Sequence, residues 1–88
     1  MGATGEQVGV KAVVEVAARA LTDRPDDVRV VETQQRGTTL VELYVAPGDL
    51  GKVIGRQGRT AAALRTLAAS AAEHAGKTVT LEIREGKP

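Results

Sequence analysis

The 88-residue chain has no cysteine, phenylalanine or tryptophan, and it has one tyrosine, Tyr44, and one histidine, His74. Without cysteine there is no disulfide framework, no thiolate metal site and no thiol nucleophile, which fits a reducing compartment. A lone tyrosine cannot supply the stacked aromatics on which RNA-recognition motifs and cold-shock folds depend. His74 has no second ligand of its own kind, so no metal is expected; beside Glu73 near a helix end it reads as a surface residue close to the negative dipole terminus. Long apolar runs are lacking too. No stretch approaches the roughly 20 residues of a membrane span, and Met1 to Gln7 has neither the basic segment nor the apolar run of a signal peptide. The expected location is cytoplasmic, with no membrane partner.

Groupings that could carry catalysis are equally scarce. Ser70 lies inside an alanine-rich helical stretch with no turn chemistry around it, and the acids are scattered over helix, turn and strand. Gly51-Lys52 lacks the following Ser or Thr and the preceding glycine spacing of a Walker loop. Neither an enzyme nor a cofactor is expected.

What the chain does have is an ordinary globular balance, 42% apolar and 26% charged, at a length that suits one compact domain. Fourteen of the apolar residues are alanine, so the core must be thin, built from Val, Leu, Ile and Ala with closely approaching helices. The net charge of +1 hides an asymmetry: residues 1 to 50 carry net −3 and residues 51 to 88 net +4. Between Gly51 and Ala72 stand four cations, Lys52, Arg56, Arg59 and Arg65, and no acid.

Periodicity divides the chain into six elements. Val10, Val13, Val14, Ala17 and Leu21 recur at helical intervals within an amphipathic helix from Val8 to Leu21, with Lys11, Glu15 and Arg19 paired on its polar side. Val28 to Gln34 and Thr38 to Val45 read as an antiparallel hairpin joined by Gln35-Arg36-Gly37. Pro47-Gly48 ends the second strand, and Asp49 is placed to cap a helical turn from Leu50 to Ile54. A long helix from Arg59 to Ala75 presents Ala61, Leu64, Leu67, Ala68, Ala71 and Ala75 as its buried stripe and stops at Gly76. The last strand alternates Val79, Leu81 and Ile83 with Thr78, Thr80, Glu82 and Arg84. Some 30 residues with two helices separate the second and third strands, which suits a crossover between parallel strands. The expected fold is α+β: a three-stranded mixed sheet with helices packed on one face.

The loop Gly55-Arg56-Gln57-Gly58 joins the short and long helices. Glycine at both ends allows a sharp turn and lets a sugar-phosphate backbone approach the main chain without meeting a β-carbon. The long helix begins directly after it, so its unpaired N–H groups and positive dipole end point toward the loop. Lys52, Arg56 and Arg59 add full charges, and Ile54, with Val53 and Leu50, offers an apolar floor for a base. A backbone clamp beside an apolar groove points to single-stranded nucleic acid, whose splayed bases need such a surface.

With Ile54-Gly55-Arg56-Gln57-Gly58 between two helices, and a helix and hairpin ahead of them, the chain from about Val8 to Ile83 resembles the K-homology (KH) family in its type II, α-β-β-α-α-β arrangement. The stretch from Val45 to Arg59 is similar, more narrowly, to the small single-domain bacterial members. The resemblance implies a KH domain over 8–84 between a flexible N-terminus, 1–7, and a flexible tail, 85–88. It implies single-stranded RNA bound through a GxxG clamp made by Gly55, Arg56, Gln57 and Gly58, with Ile54 at the groove and Lys52 and Arg59 beside it. Gln34 to Gly37 would be the variable loop on the groove's opposite side. It further implies a post-transcriptional regulator or RNA chaperone-like adaptor linked to cell shape and division, acting with a second KH protein of the KhpB (EloR, Jag) type. Two alternatives stand beside this. One is a protein interaction module in which the same face docks a partner or a second copy as a homodimer. The other is binding of single-stranded DNA, which shares the backbone clamp.

Overall fold

The computed structural model describes residues 9–88; the expected N-terminal segment 1–7, and Val8 at the expected start of the first helix, lie outside the described residues. Helix α1 runs Val10–Leu21 and buries Val10, Val14 and Ala18, a stripe with the four-residue step of one helix face. Its polar side carries the Glu15–Arg19 pair at 3.9 Å. After a linker with a 3-10 turn at Pro25–Asp27, strand β1 (Arg29–Gln35) pairs antiparallel with β2 (Thr38–Val45) through the two-residue turn Arg36-Gly37. A short helix α2 (Leu50–Ile54), a 3-10 turn at Arg56–Gly58, helix α3 (Arg59–His74) and strand β3 (Thr78–Glu85) complete the order.

The sheet has the order β1-β2-β3, with β3 parallel to β2. This is the mixed three-stranded arrangement expected from the spacing of the strands. Alternation along β2 decides which face is covered: Thr39, Val41, Leu43 and Val45 are all buried, while Leu40, Glu42 and Tyr44 between them are half-buried. The buried set packs with Val14 and Ala18 of α1, Val53 of α2 and Leu64 and Ala68 of α3, so the helices share one side of the sheet. The end of α3 is closed by N–H donation from Gly76 to the Glu73 carbonyl and from Lys77 to the Ala72 carbonyl, the double bond pattern of a glycine-terminated helix. Strand β3 reaches Glu85, inside the expected tail, and the next N–H, of Gly86, donates to the Val45 carbonyl at 2.8 Å.

Three sequence expectations are corrected. The buried stripe of α3 is Ala61, Leu64, Ala68 and Ala72, whereas Leu67 is 47% exposed and Ala75 is the exposed cap residue. Steps of three, four and four residues keep the stripe centred on Leu64 and Ala68, and Leu67 falls a sixth of a turn beyond Leu64, past the line of contact. Val53 is fully buried in the core, which removes it from any surface floor. Asp49 does not cap α2 with its side chain. Its carboxylate, in a residue only 4% exposed, instead accepts the backbone N–H of Arg24 at 3.0 Å, tying the linker after α1 to the start of α2. A buried acceptor of this kind is strongly position-specific, because its loss strands an amide donor. Asp49→Ala should therefore lower unfolding free energy by about 1–3 kcal/mol in a urea titration; a change within a few tenths would mean the tie contributes nothing.

Candidate nucleic-acid interface

Between α2 and α3 the backbone takes three positive φ values in four residues: Gly55 at 76°, Gln57 at 57° and Gly58 at 71°. Gly55 also has ψ 172°, a combination that belongs essentially to glycine alone. A β-carbon there would lie 2.3 Å from Thr60 Oγ1 and 3.0 Å from the Thr60 backbone nitrogen, so side-chain bulk is excluded twice over. At Gly58 the space that a β-carbon would enter is open, with nothing within 4 Å. The two glycines thus have different roles: Gly55 lets α3 fold back closely, and Gly58 leaves its backbone bare toward solvent. Gln57, a non-glycine in the left-handed region, accepts a hydrogen bond from the Arg59 guanidinium to its side-chain oxygen at 2.8 Å.

Internal bonds close the turn, the Gly55 N–H donating to the Gly51 carbonyl and the Gly58 N–H to the Gly55 carbonyl. The beginning of α3 is otherwise unoccupied: no side chain caps it and no acid stands in its first turn. The Arg59 N–H donates to the Arg56 carbonyl, and the positive dipole end of α3 faces the turn with no acid beside it. Arg56, Gln57 and Arg59 are exposed, and Gly55, Gly58 and Ile54 are half-buried. Ile54 remains as the apolar floor expected beside the clamp, while Leu50 packs against the core. Lys52 is also exposed, but its Nζ lies 3.3 Å from Asp23 Oδ2. All seven residues singled out, Lys52, Ile54, Gly55, Arg56, Gln57, Gly58 and Arg59, thus border one turn.

Two depressions flank α3. On the β3 side a groove is lined by Arg65, Ala69, Val79, Thr80 and Leu81, next to the edge of β3 that pairs with no strand. Arg65 follows Gly58 by seven residues, two turns along the same helix face, and so stands about 10 Å from the loop on that flank. From sequence alone Arg65 reads as solvated or peripheral; its seven-residue offset is the signal that could have placed it. On the α1 side an apolar depression is lined by Ala17, Ala20, Leu21, Ala63, Leu64 and Leu67, with Arg59 at its loop end. The Arg36-Gly37 turn is far from the clamp. Thr78 donates its backbone N–H to the Gly37 carbonyl, which places that turn beyond the end of α3, a helix about 24 Å long. Tyr44 is remote as well, on the sheet face turned away from the helices, where its hydroxyl donates to Glu42. Desolvation, then that hydrogen bond, push its phenol above the ordinary range.

Known proteins resemble this chain. A family model described as "KhpA/KhpB, KH domain" matches residues 11–83. The chain is 49% identical over 76 residues to the RNA-binding protein KhpA of Aquifex aeolicus, covering 86% of this chain and 96% of that protein. It is 46% identical over 74 residues to RNA-binding protein KhpA of Clostridium perfringens (84% and 99% covered) and 50% identical over 74 residues to that of Halalkalibacterium halodurans (84% and 97%). Among solved structures, Aquifex aeolicus Era bound to GDP and aluminium fluoride superposes with a TM-score of 0.61 at 16% identity. That match takes in 89% of this chain but 31% of Era, and at such identity it speaks to the fold alone.

The different surroundings of the two glycines make a measurable distinction. Gly58→Ala should cost about 1–2 kcal/mol, the strain of a left-handed alanine. Gly55→Ala should cost clearly more in the same urea titration, because Thr60 must also move. Equal losses would show that the contact with Thr60 is not a constraint.

Proposed function

The chain belongs to the KhpA/KhpB family of KH domains, and from that premise we propose that it binds single-stranded RNA, held by its phosphate backbone at Gly55-Arg56-Gln57-Gly58. The observation that carries the proposal is the open backbone at Gly58, set at the uncapped positive end of α3 between the exposed Arg56 and Arg59. A phosphate there meets a helix dipole and guanidinium charge together. Lys52 adds a further cation, and Ile54 gives the neighbouring base an apolar surface. Arg65 extends the positive track along the β3-side groove. The binding unit is residues 8–84, and the reading is one of binding, with no catalysis. The fitting role is a cytoplasmic post-transcriptional adaptor working with a second KH protein of the KhpB type.

Self-association is a compatible second reading, favoured by Leu21 and Leu67, which are 40% and 47% exposed in the apolar depression between α1 and α3. A second copy of the chain is the occupant that fits. Apart from Arg59 and Thr60 at one end, the depression is lined only by Ala and Leu, so two copies would meet apolar surface to apolar surface. Because it lies on the flank of α3 opposite the β3-side groove, pairing there leaves that groove open.

Replacing Arg56 and Gln57 both by Asp should weaken binding of an unstructured RNA oligonucleotide at least about tenfold while the melting temperature stays nearly constant. The fold tolerates the change because Asp accepts the left-handed conformation of residue 57 more readily than Gln does. Unchanged affinity in fluorescence anisotropy would remove the clamp reading. For the second reading, Leu67→Asp should lower the mass found by sedimentation equilibrium to that of one chain and leave RNA affinity in place. Identical masses for the two proteins would exclude this face as the contact.

A further inference from the structure

The stretch from Gly51 to Ala72 contains four cations and no acid, yet the fold brings an acid to it. Asp23, from the linker after α1, places Oδ2 3.3 Å from Lys52 Nζ. Among the described residues, no ion pair within 4.0 Å engages Arg56, Arg59 or Arg65, so Lys52 is the one cation of the set that is matched. The placement is anchored. The next residue, Arg24, donates its backbone N–H to the buried Asp49 carboxylate one residue before α2, and Pro25 then restricts the chain. The linker is thereby pinned against the helix that carries Lys52, and Asp23 is the residue that reaches it.

We propose that Asp23 is an affinity-setting residue of the RNA site: in the free protein it occupies Lys52, and an RNA phosphate must displace it to use that cation. This rests on the clamp reading of the Gly55–Gly58 turn. The pair is solvent-exposed, with the Lys52 and Asp23 side chains 43% and 76% accessible, so the exchange is a contest between two weak partners. Asp23 also sets a negative charge beside the path of an anionic strand, and its repulsion acts within a Debye length. Both effects lower affinity.

The test is a double-mutant cycle on the full chain, with a fluorescently labelled, unstructured single-stranded RNA oligonucleotide as probe at physiological salt. Asp23→Asn should tighten binding about two- to fivefold, the range open to an exposed ion pair. Asp26→Asn changes the charge of the same linker by one unit without touching Lys52 and should alter affinity much less. In a Lys52→Ala background the gain from Asp23→Asn should shrink to that of Asp26→Asn. Equal effects of Asp23→Asn and Asp26→Asn, or a gain that persists in full without Lys52, would overturn the proposal. The Arg56/Gln57 double Asp variant separates the two failures. If it has lost affinity while the cycle shows no coupling, the clamp stands and the role of Asp23 falls; if it binds as the parent does, both fall.

Discussion

Between α2 and α3 the chain reverses within four residues because residue 55 has no β-carbon. The Thr60 side chain and backbone fill the space that one would need, and the φ and ψ of Gly55 are nearly closed to any other residue. The arrangement of the whole positive face depends on that contact. The reversal sets the start of α3 beside the end of α2, so Lys52 and Ile54 from one helix and Arg59 from the other border a single turn. With a wider connection the same residues would be spread over two separate helix ends.

The alanine bias has a comparable logic. Ala61, Ala68 and Ala72 let α3 lie close to the sheet and to α1, so the interior is shallow and rests on a few branched side chains such as Val41, Leu43 and Val45. A shallow core leaves larger residues at its margin. Leu21 and Leu67 are the visible result on one flank of α3, while the other flank, with Ala69 and Arg65, faces the unpaired edge of β3. One helix therefore separates an apolar depression that reaches Arg59 from a groove edged by Arg65.

Much of this is legible in the residues, and the features that escape a sequence reading have a common cause. Strand β2 and helix α2 have the boundaries that alternation and turn formers predict, and the glycine turn stands where its motif lies. These features depend on neighbours within a few positions. An Asp before a helix ordinarily caps it, yet the partner of Asp49 is the amide of Arg24, 25 residues away. Asp23 gives no local sign of approaching Lys52, for the same reason. Leu67 and Val53 depart from expectation because a hydrophobic residue on a helix is compatible with core or margin alike. Which it is depends on how far the neighbouring elements extend, and periodicity does not carry that information.

The parallel pairing of β2 with β3 has a kinetic side. Thr38 lies opposite Thr78, their hydroxyls 3.1 Å apart, although 40 residues separate them along the chain. The β1–β2 hairpin closes over two residues and forms from local encounters, whereas the last strand must find its place across the entire helical segment, and loop-closure entropy delays contacts of that range. The topology thus separates near pairing from distant pairing: the hairpin needs only its two-residue turn, while the outer wall of the groove is a strand that must return across two helices. Without β3 in place the chain would keep the Gly55–Gly58 turn but lack the groove that β3 and α3 line together.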